Sequence, residues 1–435
     1  MAERQAVIIG GGIAGLTAAY ELSRAGRRVT LLERRPVLGG LARSQEIAGR
    51  ETEVYYHFIC ADDHSLLGLI DELGLTPHLR WAEAPTSYFV DGRLYPFTTP
   101  ADILRFSPVP FGDRLRFGLF ATQCRRRTQW RDLDGLTAEA WLRRSGGERG
   151  YEVLWRPLLE GKFGRYAGQV SAPWIWHRLH RASRSRRSLL RPERFGCLAE
   201  GTSLLLRTLA ERIREAGGEI LTGEAATGLV LREGRVAAVR TSEGEREAEL
   251  VVAAVPLPEL ARLLPPEAGA YRRELEAVDF LGVRCLLLRL TERLTDSYWV
   301  NVNDARCPFP GLIEYSHLNA EAAAALGAMV YVPLYMATDD PRWPQEAAAL
   351  TETLLAGLRV LRPELRPAAE AEAALVTGDE YAQAITPPGF GGRLPDLRTP
   401  VEGLWLLDST QLYPSDRCLS GMIGLARELA RRCRL

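Results

Sequence analysis

The stretch AVIIGGGIAGLTAAYELSRAGRRVTLLER, residues 6–34, leaves this chain few choices. An apolar run from Ala6 to Ile9 reads as a strand, passes through Gly10-x-Gly12-x-x-Gly15, and enters a helix with Leu16, Ala19, Tyr20 and Leu22 at helical spacing. A second strand, Val29 to Leu32, ends on Glu33, 18 residues after Gly15. Gly10 permits the tight turn, Gly12 lets a pyrophosphate approach the backbone, and Gly15 lets helix and strand pack closely. Ile13 and Ala14 open the helix, whose free N–H groups can hold phosphate charge. Glu33, followed by Arg34, is placed to accept hydrogen bonds from an adenosine ribose. Glycines alone would be weak evidence; strand, turn, helix, strand and acid in register predict a dinucleotide site.

The next residues narrow the cofactor. ERRPVLGGLARS places a second glycine pair, Gly39 and Gly40, before Leu41, Ala42, Arg43 and Ser44. Here the sequence resembles the FAD-binding amine oxidase superfamily, which includes monoamine oxidases, protoporphyrinogen oxidases and phytoene desaturases. The resemblance implies that this loop runs along the flavin and pyrophosphate; relatives often carry arginine where this chain has Leu41. GTSLLLRTLAERIREAGGEILTGEAATGLVLREGRVAAVRT, 201–241, reads as helix, turn, strand and hairpin, and the resemblance puts the adenine edge near Ala226, where valine is more usual. In EGLWLLDSTQLYPSDRCLSGMIGLARELARR it implies Asp408 on the ribityl-phosphate side and a helix start at Gly421 and Met422 aimed at the flavin pyrimidine ring. A helix N-terminus there would stabilise negative charge on reduced flavin. YAQAITPPGFGG lacks the cysteine with which monoamine oxidases attach flavin, so the expected cofactor is non-covalent FAD.

The expected fold class is α/β: a Rossmann-like FAD-binding domain of the glutathione reductase type with an interleaved α+β substrate, or cap, domain. The FAD-binding domain is expected in three segments, 1–75, 195–262 and 376–435, and the cap in two, 76–194 and 263–375.

Between the cofactor segments lie three groups of candidates. PLLEGKFGRYAG contains Lys162, the only lysine in a chain of 55 Lys+Arg. It reads either as a catalytic residue, anchoring an anionic substrate or donating a proton, or as a surface or structural lysine. His57-Phe58, in EVYYHFICADDH, resembles a stretch beside the flavin in UDP-galactopyranose mutases; His57 could contact the flavin and move a proton, or be a hydrogen-bonded core histidine. WIWHRLHRASRSRRSLLRPER joins Trp174 and Trp176 to an arginine cluster, Arg178 to Arg194. That cluster could meet anionic lipid or an anionic substrate, or simply be solvated. In DFLGVRCLLLRL the resemblance makes Arg284 the best counterpart of the lysine that amine oxidases place against the flavin; arginine cannot readily deprotonate, and Arg284 is a substrate candidate. Trp299 and Asn301 share one face of a cap strand as substrate candidates, with Tyr298 on the other.

Composition bounds the rest. The 55 basic and 55 acidic residues cancel, which argues against a nucleic-acid binder. Seven dispersed cysteines without C-x-x-C, and no cysteine–histidine cluster, predict reduced thiols and no metal. The N-terminus lacks a signal-peptide pattern and no run approaches a membrane span, so the expected location is cytoplasmic, with peripheral membrane contact left open. The expected partner is a small molecule, hydrophobic or anionic; oligomeric state is unknown. The resemblance implies an FAD-dependent oxidoreductase that moves hydride from a C–N or C–C unit to flavin N5. Two alternatives stay open: a redox-neutral mutase or isomerase, and a non-catalytic flavin-binding protein.

Overall fold

The computed structural model describes residues 5–47, 49–184, 192–365 and 371–433. Its first sheet is parallel throughout, five strands in the spatial order Leu404–Leu406, Leu250–Ala253, Gln5–Ile9, Arg28–Glu33 and Glu219–Thr222. Alternation along the central strand sorts its two faces. Ala6 and Ile8 point into a core shared with helices Ile13–Arg24, Thr202–Glu215 and Leu419–Cys433, while Val7 and Ile9 point into another. That second core is closed by the antiparallel meander Ala226–Arg232, Arg235–Thr241 and Gly244–Glu247 and by helix Leu257–Leu263. A parallel sheet buried on both faces needs near-continuous apolar strands, and QAVII and LVVA are such strands. The α/β fold expected from the sequence is therefore the observed one.

A second, seven-stranded sheet has the order Ala371–Ala384, Phe280–Leu290, Ala328–Met336, Gly311–Glu314, Trp299–Asn303, Thr86–Val90 and Arg93–Pro96. All its pairings are antiparallel except that of Thr86–Val90 with Trp299–Asn303. Strand Ala371–Ala384 crosses residue 376 and stays in this sheet to its end. Helices Phe111–Arg126, Ala138–Gly146, Arg156–Phe163 and Ala172–Arg184 pack around an aromatic-rich core beside it. All seven cysteines are free thiols, six of them buried. Among the described residues no His/Cys/Asp/Glu cluster could hold a metal ion, and no helix is long and apolar enough to cross a membrane.

Candidate active site

The parallel strands end at one rim, where Ile9 turns into Gly10. Gly10 has φ +104°, and a Cβ there would sit 2.5 Å from the Ala254 carbonyl oxygen, so only glycine can make the turn. Gly15 packs the helix onto that turn: its Cβ would stand 1.9 Å from the Gly10 oxygen. Gly12 is different, because nothing approaches its Cβ position closer than Gly40 Cα at 4.0 Å, which leaves its backbone open to a ligand. Gly39 donates its N–H to the Gly11 oxygen at 2.8 Å, locking the second glycine loop over the first. Glu33 is buried and accepts N–H groups from Gly11 and Arg35, each at 2.8 Å, so both carboxylate oxygens are oriented by backbone. Together these residues form a cradle that fits a dinucleotide pyrophosphate, with a buried acid beside it.

From this cradle a cavity of about 2050 Å³ runs under the seven-stranded sheet. That is roughly twice the upper end of the usual ligand-pocket range, room for a large cofactor and a second molecule. Of the residues expected at the cofactor, Gly10, Gly12, Ile13, Ala14, Glu33, Arg34, Gly39, Gly40, Leu41, Ala42, His57, Phe58, Ala226, Asp408 and Met422 line it. Gly15 stands behind the wall in its packing role. Gly421 is not among the residues lining the cavity: its N–H is directed to Cys418 Sγ at 3.3 Å, and a Cβ there would stand 2.8 Å from Leu412. Leu419 and Met422 present that end of the helix instead.

Lys162 is no surface residue. Helix Arg156–Phe163 follows a π-helical turn, Tyr151–Trp155, and the spacing of Trp155, Leu158 and Lys162 turns one helical face into the cavity. Lys162 is 7 % exposed, its Nζ donates to Asp416 Oδ2 at 3.0 Å, and it lies 4.7 Å from the Trp174 ring centre and 5.2 Å from that of Tyr335. Burial lowers its pKa to about 8, against the pull of Asp416 and with help from Arg417 and Arg178. Asp416 is held well below the usual carboxylate range: its burial works the other way and is outweighed by the cations Lys162 and Arg417. Arg417 donates to the Tyr335 hydroxyl and to Gln383 Oε1, both at 2.8 Å, fixing this side of the chamber.

His57 also lines the cavity. Among the described residues its Nδ1 has no hydrogen-bond partner and stands 4.0 Å from Glu53 Oε1, while burial lowers its pKa, so the neutral ring is favoured. Arg284 reaches the cavity, but its guanidinium already donates to the Trp343 and Gln345 carbonyls. Trp299 and Asn301 both face the chamber, tied by Trp299 Nε1–H to Asn301 Oδ1 at 3.1 Å, and Tyr298 is fully buried on the other face as the alternation requires.

The tryptophan–arginine stretch needs correction. Trp174 and Trp176 are buried in the helical core, which rules them out as an interfacial belt. Arg178 and Arg181 line the cavity, and residues 185–191 lie outside the described residues. Arg181 donates from Nη2 to both Asp63 oxygens at 3.0 Å. Among the described residues Arg178 has no ion-paired carboxylate; its guanidinium lies 5.7 Å from the Trp299 ring centre and 5.9 Å from that of Trp174. Sequence reasoning missed His177, whose ring lines the same wall with its pKa pushed down to about 4 by burial and Arg181. It also missed Asp379, which accepts from Arg35, Arg43 and the Tyr55 hydroxyl and joins the glycine loops to the second sheet.

The family match and the relatives give the class, an FAD-dependent oxidoreductase. The chain belongs to the flavin containing amine oxidoreductase family, whose model matches residues 13–361. It is 33 % identical to putrescine oxidase of Kocuria rosea over 149 residues, 32 % of this chain and only 31 % of that enzyme. It is 28 % identical to human protoporphyrinogen oxidase over 326 residues, 66 % of this chain and 67 % of that enzyme. In fold it is similar to a provisionally named protoporphyrinogen oxidase from Exiguobacterium sp. 255-15, with a TM-score of 0.79 and 19 % identity over 100 % of this chain and 99 % of the other.

Proposed function

We propose that this enzyme oxidises an elongated, mainly apolar molecule bearing an anionic group, at a carbon of a C–N or C–C unit. The observation that carries this reading is Arg178: a guanidinium with no ion-paired carboxylate among the described residues, set between Trp174 and Trp299 on the wall of an aromatic-lined cavity. A planar guanidinium suits a carboxylate or phosphate, and a low-dielectric site makes that contact stronger than it would be in water. Two acids of the cavity wall are already matched, Asp416 by Lys162 and Asp63 by Arg181. A cationic amine would therefore meet a surplus of positive charge.

In this reading Gly12, Gly39 and Gly40 would hold the FAD pyrophosphate, Glu33 the adenosine ribose, Ala226 the adenine edge and Asp408 the ribityl side, without a covalent link. When bound, FAD supplies the two-electron acceptor. The protein's own part is to bind and orient: Trp299 and Tyr335 flank the substrate, Arg178 fixes its anionic end, and Lys162 Nζ takes the proton that the substrate loses along with its hydride.

Anaerobic addition of candidate substrates to the purified yellow protein tests the reading. Bleaching of oxidised flavin by an anionic apolar compound, and not by its neutral analogue, is the expected result. Turnover of a sugar nucleotide or isoprenoid only after reduction, with no net electron transfer, would replace it with the mutase or isomerase alternative. Arg178→Met is expected to raise KM for the anionic substrate about tenfold to a hundredfold with a smaller change in kcat. An unchanged KM would remove the anion from the proposal.

A further inference from the structure

Seven large hydrophobic side chains are exposed among the described residues, and four of them fall within residues 104–119: Leu104 at 43 %, Phe111 at 58 %, Leu115 at 46 % and Leu119 at 66 %. Phe111, Leu115 and Leu119 recur every four residues on helix Phe111–Arg126, so they share one face. The opposite face carries Phe117, Phe120 and Cys124, all buried in the helical core. The helix is therefore apolar on two sides, and packing accounts for only one of them. Leu104 joins the outer face through the preceding helix, Pro100–Arg105, which Arg114 ties on by donating to the Leu104 and Val109 carbonyls.

The charge around this face has one sign. Arg116, Arg125 and Arg126 are exposed and form no ion pair among the described residues, and Arg105 is exposed with Asp102 as its acidic neighbour. The two acids of the segment are turned away: Asp102 caps its own helix by accepting from the Thr98 and Thr99 N–H groups, and Asp113 lies against Gly147. Between the outer and buried faces, Gly118, Ala121 and Arg125 line the cavity. The apolar face thus adjoins the cavity wall.

We propose that helix Phe111–Arg126 docks on the surface of an anionic lipid bilayer, with Phe111, Leu115 and Leu119 entering the headgroup–acyl boundary and the arginines meeting lipid phosphates. Charge complementarity selects this occupant, since exposed arginines ringing leucine and phenylalanine match an interfacial helix. The position beside the cavity gives the surface a use, because an amphiphile could pass from the bilayer past Gly118 and Ala121 without crossing water. The docking surface does not depend on what the active site oxidises.

Sedimentation of the FAD-loaded protein with extruded vesicles tests this. Vesicles of phosphatidylcholine containing phosphatidylglycerol are expected to bind it at least about tenfold more tightly than phosphatidylcholine alone, with the difference shrinking as salt rises. Phe111→Ser with Leu119→Asp is expected to lower partitioning about tenfold, and Arg105→Glu with Arg116→Glu to erase the preference for phosphatidylglycerol. Flavin content and thermal midpoint should stay at wild-type values in both variants, since these side chains face solvent. Equal partitioning of wild type and variants, or no vesicle binding by wild type, overturns the proposal. So does a concentration-dependent dimer that Leu119→Asp dissolves, which would assign the face to a second copy of the chain.

Discussion

Lys162→Met is expected to lower kcat/KM about a hundredfold or more, the usual effect of removing a positioned general base, while leaving FAD bound. The wild-type profile should rise with pH through an apparent pKa of about 8, because the neutral amine is the form able to take a proton and burial brings it within reach of neutral pH. In Lys162→Met that limb should vanish. Asp416→Asn provides the sign test. The carboxylate at 3.0 Å raises the Lys162 pKa against burial, so its removal should move the limb to lower pH. A limb that stays in place would sever the lysine from the rate. Stability offers a second readout. The folded-state pKa lies below the ordinary value of 10.5, so between about pH 8 and 10.5 the unfolded chain holds a proton that the folded chain has released. The wild type should therefore gain thermal stability relative to Lys162→Met as pH rises through that window. The opposite trend would mean that the buried ammonium is favoured by the fold.

The two ends of the fold were legible in the sequence, and so were single chamber residues such as Lys162, His57, Trp299 and Asn301, but the pairings that build the chamber were not, for a physical reason. The glycine cradle is dictated by backbone geometry within about thirty residues, so strand, turn and helix leave a local pattern that can be read without a structure. The Lys162–Asp416 pair joins positions 254 apart, and Asp379 reaches Arg35, Arg43 and Tyr55 across more than 320 residues. No local spacing encodes such pairs, so Asp379 and Asp416 looked like any other acids. Trp174 and Trp176 misled in the opposite direction. Tryptophan beside arginine suggested an interface, yet the helix that carries them packs both rings into the core and leaves Arg178 on the cavity wall. The exposed face at Phe111, Leu115 and Leu119 was hidden differently: buried Phe117 and Phe120 interleave with it in the sequence, and only burial separates the two faces.

Gly15→Val is expected to cost about 3 kcal/mol or more of stability and to yield protein largely free of FAD, because no local adjustment can accommodate the side chain. Its Cβ would lie 1.9 Å from the Gly10 oxygen and 3.3 Å from Ala254 Cβ. The first of these atoms is backbone in the turn itself. Gly10 is held in the turn by its own N–H, which donates to the Leu32 carbonyl at 2.8 Å. The helix must therefore move outward, which carries Gly12 and the first N–H groups away from the place where a pyrophosphate would lie. Gly168→Ala is the matched control: nothing lies within 4 Å of its Cβ position, so flavin content and thermal midpoint should both hold. Flavin released by denaturation, measured per mole of protein alongside far-ultraviolet circular dichroism, distinguishes the consequences. A folded, colourless Gly15→Val protein would show that the close contact of helix and turn serves the cofactor as well as the core. A yellow protein of wild-type stability would show that the first turn of the helix can shift without opening the cradle, and would remove Gly15 from the site.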